Sequence, residues 1–228
     1  MLALFLAIEV VLLVTPLGYL RIGVLSATLL HVPVIVCACT MGTKYGAFMG
    51  LVFGITSVIN ATMAPTVTSF AFSPFVTVGG FNGGYQSLIV AIVPRVLLGV
   101  IAGSLYRYCR QKDISIGISA GCSAFVSTVI HVIGVLGLIL LFYAAPYAQA
   151  IGVAQSALMT AMGTVILTNS IPEILVAVIV NIALTKALSS NMLFLHRYPP
   201  VSLRRHLPAA AVFLIVFPYL YILAIQGR

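Results

Sequence analysis

Long apolar runs alternate with short polar breaks along the chain, and their lengths predict a bundle of membrane-crossing helices. A helix needs about 20 consecutive apolar residues to cross a hydrocarbon core. Six runs meet or approach that length: Met1 to Tyr19, Ser26 to Met41, Lys44 to Thr62, Ser87 to Tyr106, Ile114 to Tyr143, and one within Ala157 to Leu188. Between the third and fourth, Met63 to Gln86 is rich in Thr, Ser, Pro and Gly and carries no charge. That stretch predicts a long loop, and loops of such length are often functional.

The expected fold is therefore an all-α integral membrane bundle of six transmembrane helices occupying residues 1–190. Residues 191–228 form a second unit, in which a basic, Pro-containing linker from His196 to His206 precedes a further apolar stretch, Leu207 to Ile225. Pro208 and Pro218 interrupt that stretch, which leaves a seventh span, an interfacial segment or an appendage all open. The first run has no basic leader and no small-residue cleavage pattern around Pro16 and Gly18, so no cleavable signal peptide is expected.

Composition supports the bilayer. Hydrophobic residues make up 62% of 228 positions and charged residues only 6%, and the mean hydropathy is +1.21. Soluble domains carry about 25% charged residues, whereas helices facing lipid need no polar coat. The net charge of +8 reads as topology, because basic residues accumulate on the cytoplasmic side. With the N-terminus cytoplasmic, the inner loops hold Lys44, Arg107, Arg110, Lys112 and Lys186, and the tail adds Arg197, Arg204 and Arg205. The outer loops hold Arg21 alone, and no basic soluble domain exists to bind nucleic acid. Cys37, Cys39, Cys109 and Cys122 are scattered without metal spacing and read as small apolar residues.

Gly42, Gly46, Gly50 and Gly54 recur every four residues on the third helix, and Gly99 and Gly103 repeat the device on the fourth. Such stripes let helix backbones approach closely, which predicts internal packing. Ala3 and Ala7 form a weaker small-residue pair on the first helix.

Ionisable and strongly polar side chains inside spans are costly, and they suggest function. Counting about 1.5 Å per residue from the inner end of each helix places His31, Asn60, Arg95, His131 and Glu173 in the outer half of the membrane. Five polar residues on five helices at similar depth predict a pocket open to the outside. The charge-free loop, with Phe72, Phe75, Phe81 and Tyr85, would serve as its lid. Arg95 and Glu173 could instead pair only with each other, as buried charges commonly do. Glu9 lies lower and reads as structural or as part of a partner surface. No phosphate-binding loop, HExxH or GxSxG motif occurs, so the chain is expected to be no enzyme, to hold no cofactor or metal, and to use no ATP itself.

Several stretches carry a resemblance: Pro16-Leu17-Gly18-Tyr19; Ser26-x-Thr28-x-x-His31-x-Pro33-Val34; Gly42-Thr43-Lys44-Tyr45-Gly46-Ala47 running on to Gly50, Phe53, Gly54 and Ser57; Pro94-Arg95-x-Leu97-x-Gly99; and Ile171-Pro172-Glu173. Over about residues 1 to 190 the chain resembles the substrate-binding S components of energy-coupling factor (ECF) vitamin transporters, most of all the pantothenate-specific branch. The resemblance implies a bacterial cell-membrane protein that captures a vitamin from outside. It further implies docking on a transmembrane coupling subunit driven by two ATPase subunits, and toppling in the membrane to release the vitamin. In that family an Ala-xxx-Ala pair on the first helix packs against the coupling subunit, and Ala3 and Ala7 match it. Pantothenate offers a carboxylate for Arg95 and hydroxyl and amide groups for Thr28, His31, Asn60 and His131, while Glu173 would repel an anion unless screened. An S component for another vitamin and a stand-alone carrier are the alternatives, and the apolar segment after residue 206 departs from the six-helix pattern.

Overall fold

A computed structural model describes residues 1–15, 18–22 and 25–195, and it is mostly helical. Helix α1 (Leu2–Val14) leads into a hairpin of β1 (Tyr19–Ile22) and β2 (Leu25–Thr28), followed by α2 (His31–Met41) and α3 (Thr43–Met63). After a loop come α4 (Tyr85–Gln111) and α5 (Ile116–Ala150). The last rod is built from α6 (Leu158–Val165), a π-helical turn over Ile166–Ser170, and α7 (Ile171–Leu195). The predicted tail, 196–228, lies outside the described residues.

Four of these rods are long and apolar enough to cross a membrane: Thr43–Met63, Tyr85–Gln111, Ile116–Ala150 and Gln155–Ser189. The first two predicted spans are shorter than expected, and each ends for a local reason. Helix α1 stops at Val14, just before Pro16, because the residue preceding a proline is driven out of the helical region. The second was expected from Ser26, yet the helix begins at His31. Pro33 tolerates a helix only in its first turn, where its missing N–H is not required. Residues 25–28 instead pair antiparallel with 19–22, Tyr19 opposite Thr28 and Ile22 opposite Leu25.

Helix α2 is the centre of the bundle, packed by α1, α3, α4, α5 and α7. Every residue from His31 to Cys39 is buried, as a helix apolar on all sides must be. Glu9 is also fully buried, which removes it from any partner surface. Ala3 and Ala7 lie on the opposite, exposed face of α1.

From Gly46 to Gly54 the glycine stripe does what its spacing predicted, whereas Gly42 lies outside α3, at its junction with α2, with φ of 101°. The stripe lies against α4, where an added Cβ at Gly54 would come within 3.0 Å of Ile92 Cα and one at Gly103 within 2.7 Å of Thr43 Cα. Closer to the basic end, interhelical hydrogen bonds join the rods. Asn181 donates to the Ala120 carbonyl at 2.7 Å, and Ser123 donates to the Ala102 carbonyl at 2.6 Å.

The loop between α3 and α4 is folded back on the bundle. It carries a 3-10 turn (Ser69–Ala71) and a hairpin of β3 (Thr77–Val78) and β4 (Phe81–Asn82). Gly79 and Gly80 close that hairpin with φ of 60° and 83°, the left-handed pair that a two-residue turn demands. Phe70 and Ala71 join Tyr143, Tyr147, Leu158 and Met162 in an apolar cluster at this end. Ser87, in the first turn of α4, fixes the loop: its hydroxyl donates to the Phe70 carbonyl at 2.6 Å and shares a 2.7 Å bond with Tyr143 Oη.

A polar cavity between α4, α5 and α7

A cavity of about 90 Å³ lies between α4, α5 and the last rod, close to the loop end of the bundle. Thr28, Phe72, Arg95, His131, Asn169, Ser170 and Glu173 line it together with Val132, Val135, Leu136 and Val165. The lining thus combines polar and charged side chains with branched apolar ones. A second hollow of about 220 Å³ between α1, α2 and α7 is lined by apolar residues alone. It offers nothing to recognise a polar solute, so the smaller cavity is the candidate site.

Arg95 arrives on the buried face of α4. Its Nη1 donates to the Val90 carbonyl at 2.6 Å, and its guanidinium carbon sits 5.5 Å from the Phe53 ring centroid and 5.4 Å from that of Phe72. Aromatic faces at this range attract a cation. Gly50 permits the arrangement, since an added Cβ there would lie 3.0 Å from Val96 Cα, against the α4 backbone at Arg95. With α3 that close, Phe53, one turn further on, reaches the guanidinium.

His131 enters from α5, tilted 40° against Phe53 with 6.1 Å between ring centroids. Its Nε2 is buried with no hydrogen-bond partner among the described residues. Such an atom costs about 1–3 kcal/mol, and a ligand hydroxyl or amide would offset that cost.

The last rod contributes through a distortion. Pro172 lacks the N–H that would bond the Thr168 carbonyl, and its ring crowds that carbonyl. The turn widens into the π-helical stretch Ile166–Ser170, a bulge that recurs at functional sites. Asn169 and Ser170, inside it, face the cavity. Irregular backbone at membrane depth is tolerated only where protein or a cavity surrounds it. Next in sequence, Glu173 accepts the backbone N–H of Thr28 with Oε1 and so ties the β2 end to α7.

Five of the eight side chains picked out from sequence therefore meet at one cavity: Thr28, Phe72, Arg95, His131 and Glu173. His31 is buried just behind it, against the backbone of Thr28 and Glu173. Asn60 and Tyr85 are not among the lining residues, and Tyr85 is 72% exposed. Asn169 and Ser170 went unnoticed, although a polar pair just before Pro172 inside an apolar run was a readable signal.

Residues 1–185 match the family described as the substrate-specific component of ECF transporters. The chain belongs to this family. Over 163 residues this S component is 36% identical to the pantothenic acid transporter PanT of Lactococcus lactis subsp. cremoris, an overlap of 71% of this chain and 77% of that one. Over 196 residues it is 25% identical to the pantothenate transporter PanT of Leuconostoc mesenteroides subsp. mesenteroides, covering 81% and 88% of the two chains. The S component is accordingly a transport protein and not an enzyme, and it resides in the bacterial cell membrane.

Proposed function

We propose that this S component captures pantothenate from outside the cell and delivers it to an ECF module. The observation that carries the reading is Arg95, a buried cation close to two aromatic rings at a cavity of mixed polar and apolar lining. A guanidinium has five N–H donors, enough to hold the Val90 carbonyl and a ligand carboxylate together. The vitamin's hydroxyls and amide suit His131, Asn169 and Ser170, and its geminal methyl groups suit Val132, Val135 and Leu136. Two relatives bear the name of a pantothenate transporter, which supports the same ligand.

The basic end of the bundle faces the cytoplasm in this reading, and the cavity opens on the outer side. Partners supply the energy: a transmembrane coupling subunit and two ATPase subunits, which use the ATP. The coupling subunit docks on the exposed face of α1, where Ala3 and Ala7 leave room for another backbone.

Equilibrium binding of labelled pantothenate to the purified chain in detergent tests the reading, with biotin, riboflavin, thiamine and folate as competitors. Saturable binding that none of them displaces is expected, and Arg95→Ala should weaken it at least a hundredfold, about 3 kcal/mol. Unchanged affinity in that variant would remove Arg95 from recognition. Tight binding of a different vitamin would discard pantothenate, and uptake into vesicles holding this chain alone would point to a carrier.

A further inference from the structure

We propose that Pro94 is the positioning residue of the site, holding Arg95 in place by freeing a backbone carbonyl for it. The inference rests on the reading of Arg95 as the group that receives the ligand's acid.

Along an α-helix each N–H bonds the carbonyl four residues back. Position 94 would serve Val90, but proline has no N–H, and its ring presses on that same carbonyl. Pro94 is the only proline inside α4. Val90 is fully buried, so its carbonyl needs a donor from within the protein. The donor is Arg95 Nη1, at 2.6 Å. A guanidinium donating to a carbonyl makes a short, charge-assisted bond, here directed back along the helix that carries it.

That bond ties the charge to its own helix. A long, flexible side chain anchored five residues back cannot swing away from its own helix. It stays within 5.5 Å of the ring centroids of both Phe53 and Phe72, at the cavity wall. Because the geometry is set before any ligand arrives, less ordering is left for the binding step. An alanine at 94 would restore the helical N–H, which would share the Val90 carbonyl with Arg95 and so weaken its hold on the guanidinium. A purely architectural role is the rival, since Pro94 also lies against α5, where a Cβ added at Gly134 would be 3.5 Å from Pro94 Cβ.

Pro94→Ala separates the two. The melting temperature in detergent should hold or rise, because α4 gains a hydrogen bond. Pantothenate affinity should fall at least tenfold, while affinity for pantothenol, which carries an alcohol in place of the carboxylate, should hardly change. Loss of stability with equal weakening of both ligands would make Pro94 architectural and overturn the proposal, as would unchanged pantothenate affinity. A ligand-free readout accompanies these measurements: nitrogen-15 spectra of the arginine side chains, with Arg95 assigned by Arg95→Lys. In the parent protein Nη1 and Nη2 of Arg95 should give separate signals, because a held guanidinium rotates slowly, and in Pro94→Ala they should merge. Identical spectra would overturn the proposal. A parent protein that binds no pantothenate would sink the functional reading, and the spectra would still decide the positioning.

Discussion

Gly50→Ala is a severe test of the site, because one methyl group is set against two backbones. The new Cβ would run into the Arg95 carbonyl oxygen and stand 2.8 Å from its carbon and 3.0 Å from Val96 Cα. Carbon atoms prefer about 3.5–4.0 Å, and the oxygen contact is tighter still, so α3 and α4 must part locally by at least about 1 Å. Neither contact is the end of a flexible side chain that could turn aside. Overpacking of this kind costs about 1–3 kcal/mol, and alanine returns about 0.5–1 kcal/mol as the better helix former. The net expectation is a loss of about 1–2 kcal/mol of stability. The same displacement carries Phe53 away from the guanidinium, 5.5 Å distant in the parent protein. A desolvated cation–π contact is worth up to about 2 kcal/mol, so pantothenate should bind roughly tenfold more weakly. Thermal melting in detergent and titration calorimetry read the two effects. Gly137→Ala on α5 is the control, since a Cβ there meets nothing within 4 Å, and it should match the parent protein in both assays. If Gly50→Ala behaves like Gly137→Ala, the close approach of α3 to Arg95 is refuted.

Two further perturbations address other parts of the site. Glu173→Gln keeps an oxygen for the Thr28 N–H but removes a negative charge from the cavity, so pantothenate affinity should hold or improve, whereas Glu173→Ala should lower it about tenfold, or 1.4 kcal/mol; calorimetry on both variants checks this, and equal effects would exclude the tether. Ser87→Ala takes a donor from the Phe70 carbonyl, which should cost about 1–3 kcal/mol and speed protease cleavage within 63–86; an unchanged cleavage rate would show that the loop is fastened elsewhere.

The long rods were legible in the sequence because an apolar run bounded by Lys, Arg or Gly leaves few other structures in a bilayer. The interior charges were legible for the same reason: Arg95 and Glu173 are too costly to face lipid. Local departures from the helix were harder. The pairing of 19–22 with 25–28 takes Ser26 to Thr28 out of a run that also reads as helix, and only Pro33 argued for a later start. The π turn follows from Pro172, but a proline in a helix can also produce a kink. Helix α5 does so where Tyr143 leaves helical geometry, with φ −133° and ψ 19°, three residues before Pro146. Counting residues gave height along a helix with an error that grows with distance. Asn60 lies seven residues beyond Phe53, on the same face but about 10 Å farther along, which puts it past the cavity wall. Tyr85 is ten residues before Arg95, or about 15 Å away along α4.

The glycine stripe has one more consequence. Where Gly46, Gly50 and Gly54 meet α4, the nearest α4 atom is main chain in each case, so few rotamers at the contact are left to re-sort. Two rods joined in that way behave as a stator. On the proposed function, entry and exit of a solute would then fall to the opposite wall, where the last rod carries its π turn. Arg95 and Phe53 both sit on the fixed side, whereas Asn169, Ser170 and Glu173 ride on the compliant one. On the proposed function, the division gives the anchoring of the anion to one half of the cavity and its enclosure to the other.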